Sequence, residues 1–203
     1  MFLKINPNGR IPALIDREAN VTVGESGAIL EYICTVLKSP LLPTPSEDLQ
    51  KHLACKQWLY WQVSGLGPSM GQSMYFNRLV AVQGHKDDFV IKRFGKEAKR
   101  CLQMLNAQLE ESGGPCVLGE KLTVVDVACF SYASSAFWAY VDVSDLPHLN
   151  AWIEMLHKRE SFATGLTIPF ARPAFWGPPH TTEEEIAKEI SRNSGQFMAV
   201  QKK

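Results

Sequence analysis

Two stretches near the start of the chain decide its fold: residues 6–14 read NPNGRIPAL, and residues 24–30 read GESGAIL. Between them, two short β-favouring runs at residues 13–15 and 21–23 flank a polar segment, a pattern typical of a β-hairpin. A cis bond before Pro12 costs only about 1 kcal/mol. Pro12 therefore predicts a sharp turn before the first strand, with the N–H and C=O of Ile11 pointing outward.

A helix is predicted to begin near Ser26, because apolar residues recur on one helical face at positions 29, 30, 33 and 37. The free amides and the dipole of a helix N-terminus favour a carboxylate, and the Ser26 hydroxyl would add a further donor. The neighbouring Glu25 could hold an ammonium group, so that the pair recognises both charges of an amino acid head. The plainer alternative is that Pro12 only starts an edge strand and that Ser26 only caps a helix.

The composition is that of a soluble globular protein, since 45% of the 203 residues are hydrophobic and 21% are charged. Lys+Arg and Asp+Glu both number 21, so no overall charge drives binding to nucleic acid or to an anionic membrane. The sequence has neither an apolar run of about 18 residues nor a signal-peptide pattern. The five scattered cysteines lack metal-ligand spacing, which indicates reduced thiols packed in the core of a cytoplasmic protein. Small molecules and proteins are the expected partners.

From residue 46 onward the sequence predicts helices, whereas residues 40–45 are too rich in proline for a helix and indicate an extended linker. Residues 124–130 are apolar almost all round, which marks a helix at the centre of a bundle. Thr123 followed by Asp126 predicts a capping box at the start of that helix. Residues 169–203 contain a strap of prolines and aromatic residues, expected to pack on the bundle, and then a short helix capped by Thr182 and Glu185.

The first stretch resembles the glutathione-binding half of the thioredoxin-like domain in glutathione S-transferases (GSTs), whose pattern is N-P-x-G-x-[VI]-P-A-L, a hairpin and E-S-x-A-I. Residues 57–72 are similar to the nu-class and fungal nitrogen-regulator-like branch, with its W-x-x-x-G-L-G-P-x-x-G-Q. The resemblance covers about residues 1–165. It implies a mostly α, two-domain fold, in which a truncated thioredoxin-like α/β part at residues 1–39 precedes the linker at 40–45. An all-α helical bundle follows at residues 46–168, and the strap and C-terminal helix occupy residues 169–203.

The resemblance implies glutathione as the cofactor and a set of residues that would bind it. The Ile11 backbone would pair with the cysteinyl part of glutathione, and an arginine on a later helix would reach one of its carboxylates. On the alternative view, that arginine is an ordinary solvated helix residue. The implied glutathione-binding residues are Arg10, Ile11, Pro12, Glu25, Ser26 and Arg93.

The branch also places a break in its long helix at the mouth of the active site. Gly65, Gly67 and Pro68 are accordingly expected to interrupt the helix and to release backbone groups there. Residues just beyond the break would line an adaptable apolar pocket for a second substrate, or else belong to the bundle core or a dimer contact. They are Ser69, Met70, Met74, Tyr75 and Phe76.

No catalytic residue is identified from the sequence. Family members carry an activating Ser, Tyr or Cys after a first strand that precedes the N-P-x-G segment, and the sequence as given starts after that point. Tyr75, Ser69 or a residue of a partner chain could assist the thiolate instead. The expected function is a glutathione-dependent transferase or isomerase acting on a bulky apolar electrophile in fungal secondary metabolism, as a homodimer. The alternatives are a regulatory protein that binds glutathione or an apolar ligand without turnover, and a dimerisation or scaffold protein.

Overall fold

In the computed structural model of the chain, residues 2–80, 84, 87–168, 176–177, 181–189 and 191 are described. A 3-10 turn at Phe2–Lys4 leads into a two-stranded sheet and then into helices. The strands are β1 (Ala13–Asp16) and β2 (Val21–Gly24). The α-helices are α1 (Ser26–Val36), α2 (Leu49–Trp61), α3 (Gly67–Met74), α4 (Asp88–Ser112), α5 (Val124–Ser134), α6 (Pro147–His157) and α7 (Glu160–Gly165).

The predicted hairpin and first helix are confirmed. β1 and β2 pair antiparallel from Ala13 opposite Gly24 to Asp16 opposite Val21. The Asp16 carboxylate accepts hydrogen bonds from the amides of Glu18 and Ala19, both at 2.9 Å, which closes the turn. It also accepts one from the Tyr32 hydroxyl on α1 at 2.8 Å. The same carboxylate therefore shapes the turn and ties the hairpin to the helix that follows it.

The expected interruption of the long helix is wrong, because the helical path continues through it. A π-helical turn at Gln62–Leu66 joins α2 to α3, and the Gly67 amide bonds to the Gln62 carbonyl five residues back. Pro68 stands in the first turn of α3, and because it has no N–H it donates no backbone hydrogen bond there. The glycines and the proline thus widen one turn of the helix instead of breaking it. A second π-helical segment follows at Tyr75–Val80.

The bundle is organised around the buried carboxylate of Asp126 on α5. One oxygen accepts from the Val117 amide and from the Trp152 indole, both at 2.9 Å. The other accepts from the amide and the hydroxyl of Thr123, at 2.8 and 3.1 Å. The predicted capping box is confirmed, and it also connects α5 to α6 and to the loop before α5. All five cysteines are buried and free, as the sequence predicts.

The linker and the C-terminal segment both contact the bundle where the structure describes them. Residues 40–45 form neither helix nor strand, and the Leu41 carbonyl accepts a hydrogen bond from the Val124 amide at 2.8 Å. Most of the predicted strap, including residues 169–175, lies outside the described residues. The Trp176 ring lies 5.7 Å from the His157 ring, and the Thr182 amide donates to the Glu185 carboxylate at 2.9 Å, as predicted for a helix cap. Among the described helices, none is long and apolar enough to cross a membrane.

Candidate functional site

A cavity of about 300 Å³ lies between the loop before β1, the start of α1, the first π-helical turn and α5. Five of the six residues predicted to bind glutathione line it, so residues from both stretches of the first motif meet at one place. The lining consists of Asn6, Asn8, Arg10, Ile11, Pro12, Glu25, Ser26, Gln62, Val63, Gly67, Pro68 and Tyr132.

The loop wall of the cavity is held in place by Asn6. Its side-chain nitrogen donates to the Arg10 carbonyl at 2.6 Å, and its side-chain oxygen accepts from the Asn8 amide at 3.0 Å. The Ile11–Pro12 bond is cis, as the sequence allowed, and the Ile11 side chain is 85% exposed. In the part of the chain that the structure describes, the Ile11 amide and carbonyl have no hydrogen-bond partner. The backbone of Ile11 is therefore available to pair with a ligand.

The helix wall of the cavity is the N-terminus of α1. Ser26 is the first residue of α1, and no side chain caps the first turn. Glu25 precedes it with φ 66° and ψ 126°, a backbone conformation that costs a residue with a side chain about 1–3 kcal/mol. The uncapped amides can receive a carboxylate, and Glu25 places a negative charge beside them.

The opposite wall comes from the π-helical turn and from α5, and sequence reasoning missed its polar members. Gln62 is only 3% exposed and Tyr132 is half-buried. Burial raises the pKa of the Tyr132 hydroxyl above its ordinary value. The position of Gln62, three residues before the start of the G-L-G-P motif, was a usable signal. For Tyr132 no local signal exists, because α5 is apolar almost all round and its periodicity does not mark one face.

The remaining predicted site residues lie elsewhere in the structure. Arg93 on α4 does not reach the cavity, since its side chain is 59% exposed and lies 3.8 Å from the Glu97 carboxylate. Met70 is fully buried in the bundle core, and Ser69 is also buried. Both side chains are used for packing inside the bundle, so neither lines an open pocket.

The other three residues expected to line a substrate pocket form an aromatic and thioether cluster instead. Met74 packs against the core. The rings of Tyr75 and Phe76 lie 5.2 Å apart, and Phe76 stacks on Phe94 of α4 at 5.9 Å. This cluster joins the second π-helical segment to α4, and its members do not line the cavity.

Comparison with known proteins decides the family. The model "Glutathione S-transferase, N-terminal domain" matches residues 1–35, and "Glutathione S-transferase, C-terminal domain" matches residues 76–164. The chain belongs to the glutathione S-transferase family. It is 34% identical to the disulfide-bond oxidoreductase YfcG of Escherichia coli over 172 residues, which is 82% of this chain and 75% of YfcG.

Two further comparisons agree with this GST-family assignment. The chain is 30% identical to the glutathione S-transferase-like protein gedE of Aspergillus terreus, over 85% of this chain and 80% of gedE. Ure2p in complex with S-hexylglutathione superimposes with a TM-score of 0.73 at 26% identity, over 81% of this chain and 78% of Ure2p. The predicted architecture, a thioredoxin-like part followed by an all-helical GST domain, is confirmed.

Proposed function

We propose that this GST-family chain binds glutathione in the 300 Å³ cavity and uses its thiol to attack an apolar electrophilic small molecule. The observation that carries the proposal is the convergence of the Ile11 edge with the N-terminus of α1. Membership of the glutathione S-transferase family favours glutathione as the ligand. The Ile11 edge and the N-terminus of α1 support the same ligand.

The two walls suit the two ends of the tripeptide. The free amide and carbonyl of Ile11 can pair with the cysteinyl residue, in the way that an added strand pairs with a sheet edge. The γ-glutamyl carboxylate can accept from the first amides of α1 and from the Ser26 hydroxyl. Glu25 can pair with the ammonium group, and the Arg10 guanidinium can pair with a second carboxylate.

The proposed chemistry begins with loss of the glutathione thiol proton to water. The thiolate sulfur then forms a bond to an electrophilic carbon. In conjugation by substitution, the leaving group departs with the electron pair of its bond to that carbon; in conjugation by addition, the π bond of the alkene breaks and the neighbouring carbon takes a proton from water. In an isomerisation, the thiolate adds to a conjugated alkene, the carbon–carbon bond rotates, and the thiolate leaves again with no net consumption of glutathione. The S-hexyl group bound by Ure2p supports an apolar group beside the sulfur. The relative gedE comes from a fungus, and a role in fungal secondary metabolism stays a proposal.

A second candidate reaction is disulfide reduction, which the similarity to the disulfide-bond oxidoreductases YfcG and YghU of Escherichia coli favours. In that reaction two glutathione molecules convert a disulfide into two thiols and become oxidised glutathione. The chain's own five cysteines are buried, and burial raises the pKa of each thiol, so the reducing thiols would come from glutathione.

Calorimetric titration with reduced glutathione tests the binding step. We expect saturable heat for the wild type, a loss of at least tenfold in affinity for Glu25→Gln, and no change for Glu111→Gln, an exposed glutamate on α4. A wild type without binding heat contradicts the proposal. Equal affinity of the two variants would contradict the role given to Glu25.

Turnover assays then separate the candidate reactions. Formation of a glutathione conjugate with an activated aryl halide, isomerisation of a conjugated alkene and reduction of an alkyl disulfide each have their own product. Binding without any of these products would favour the alternative of a regulatory, non-catalytic protein. The expected homodimer is tested by sedimentation of the purified chain.

A further inference from the structure

Two polar side chains of the cavity wall have no role in the binding just proposed. Gln62 is only 3% exposed, and its side-chain amide has no hydrogen-bond partner among the described residues. The Tyr132 hydroxyl likewise has none in the described part of the chain. Because both residues line the cavity, their donors are available to a ligand that enters it, and such polar groups in native proteins usually have a partner.

Gly67 is what allows these two side chains to share one corner of the cavity. A Cβ at this position would lie 3.2 Å from the Gln62 carbonyl oxygen and 3.3 Å from the Gln62 side-chain nitrogen. It would also lie 3.3 Å from Cε2 of Tyr132. The two groups therefore pack over the bare backbone of Gly67, on the wall formed by the π-helical turn and α5.

The same cavity is lined by Ile11, whose backbone is proposed to hold the cysteinyl residue of glutathione. A thiol carried by that residue would project into a volume of only about 300 Å³, in which Tyr132 and Gln62 are side-chain donors from the other wall. Ser69 and Tyr75, the hydroxyls expected from the sequence, do not line this volume.

We infer that Tyr132 is a catalytic residue whose hydroxyl donates a hydrogen bond to the glutathione thiolate, with the Gln62 amide as a second donor. This inference rests on the proposed function. The thiol proton leaves to water, the electron pair stays on sulfur, and Tyr132 keeps its own proton. Donors aimed at the sulfur stabilise the anion and lower the pKa of the thiol.

The protonation state of Tyr132 fits this role. Burial raises the pKa of its hydroxyl, so that it remains a donor over the whole range in which a thiol with an ordinary pKa near 8.5 ionises. A hydrogen bond to a charged acceptor is strong enough to shift the thiol pKa by about one to two units.

The test measures the ionisation of bound glutathione by thiolate absorbance near 240 nm across a pH series. We expect the thiol pKa of glutathione bound to the wild type to lie at least about one unit below that of free glutathione. Tyr132→Phe should raise it by about one unit, and Gln62→Met by a smaller amount. The control Tyr60→Phe, an exposed tyrosine on α2, should leave it unchanged.

S-methylglutathione has no thiol to ionise. Its affinity therefore distinguishes a hydrogen bond from Tyr132 to the thiolate from a role of Tyr132 in packing. Its affinity for Tyr132→Phe should stay within about threefold of the wild type, while kcat with glutathione falls about tenfold at neutral pH. An unchanged thiol pKa in Tyr132→Phe, with glutathione still bound, would overturn the inference and leave the proposed function standing. Absence of glutathione binding to the wild type would overturn both.

Discussion

The Glu25 carbonyl oxygen accepts a hydrogen bond from the Ile29 amide at 2.9 Å, so a residue with φ 66° closes the first turn of α1. The positive φ turns the chain from β2 directly into the helix and keeps the uncapped amides at the cavity. Backbone conformations of this kind persist where the surrounding structure fixes them, and they cluster at ligand sites. The backbone conformation of Glu25 therefore lowers the stability of the fold, but it places the amides of α1 at the cavity.

Glu25→Gly should therefore stabilise the protein while it weakens glutathione binding. Glycine adopts φ 66° without strain, so the free energy of unfolding should rise by about 1 kcal/mol relative to Glu25→Ala, as measured by urea denaturation. The affinity for glutathione should fall in both variants. Asn20→Gly is the matched control, since Asn20 also has positive φ (54°) but lies in the hairpin turn, and its glutathione affinity should not change. Equal stability of the glycine and alanine variants at Glu25 would argue against stored strain.

Gly67→Ala should impair the site, whereas Gly71→Ala should not. An added Cβ at Gly67 displaces Gln62 and Tyr132 by a few tenths of an ångström, and we expect a loss of about tenfold in glutathione affinity or in kcat/KM. Gly71 lies in the same helix with nothing within 4 Å of an added Cβ, so its alanine variant should gain up to about 1 kcal/mol of stability. Calorimetry and urea denaturation of the two variants give both quantities. Unchanged glutathione affinity and kcat/KM in Gly67→Ala would contradict this prediction, because the packing of Gln62 and Tyr132 over residue 67 would then tolerate the methyl group.

Asp126→Asn should destabilise the fold without acting on the site. The carboxylate accepts four hydrogen bonds in a fully buried position, and an amide would point donor hydrogens at two of the four donors. The expected loss of unfolding free energy is about 3 kcal/mol. The control Asp145→Asn, at an exposed carboxylate paired with Lys99, should cost less than about 0.5–1 kcal/mol. A cost for Asp126→Asn no larger than that of the control would contradict this account of the core.

The native protein should be inert to thiol reagents, and its stability should fall in alkali. Burial raises the pKa of all five thiols, to about 11 for Cys55 and Cys116. An unfolded thiol ionises near pH 8.5, so between about pH 9 and 11 the folded state binds more protons than the unfolded state, and stability falls as pH rises. A chromogenic disulfide reagent at pH 8 should react with no thiol before unfolding and with five afterwards. A fast-reacting thiol in the folded protein would contradict this.

The sequence determined the local elements of this protein, because each is encoded by residues close together in the chain. The β-favouring runs at residues 13–15 and 21–23 specified the hairpin, and Ser26 marked the start of α1. Thr123 and Asp126 specified the cap of α5. The resemblance of the motif around Ile11 and Glu25 to glutathione S-transferases implied a set of binding residues, and five of them line the cavity.

Only the tertiary structure decided which helical residues face the cavity. The π-helical turn at Gln62–Leu66 adds a residue to one turn and shifts the phase of everything after it, so that Met70 faces the core while Gly67 and Pro68 line the cavity. Tyr132 reaches the cavity because α5 packs at the centre of the bundle, and Arg93 misses it because its stretch of α4 is exposed to solvent. Helix phase and packing are set by contacts between segments that are distant in the chain. A local sequence motif does not specify those contacts.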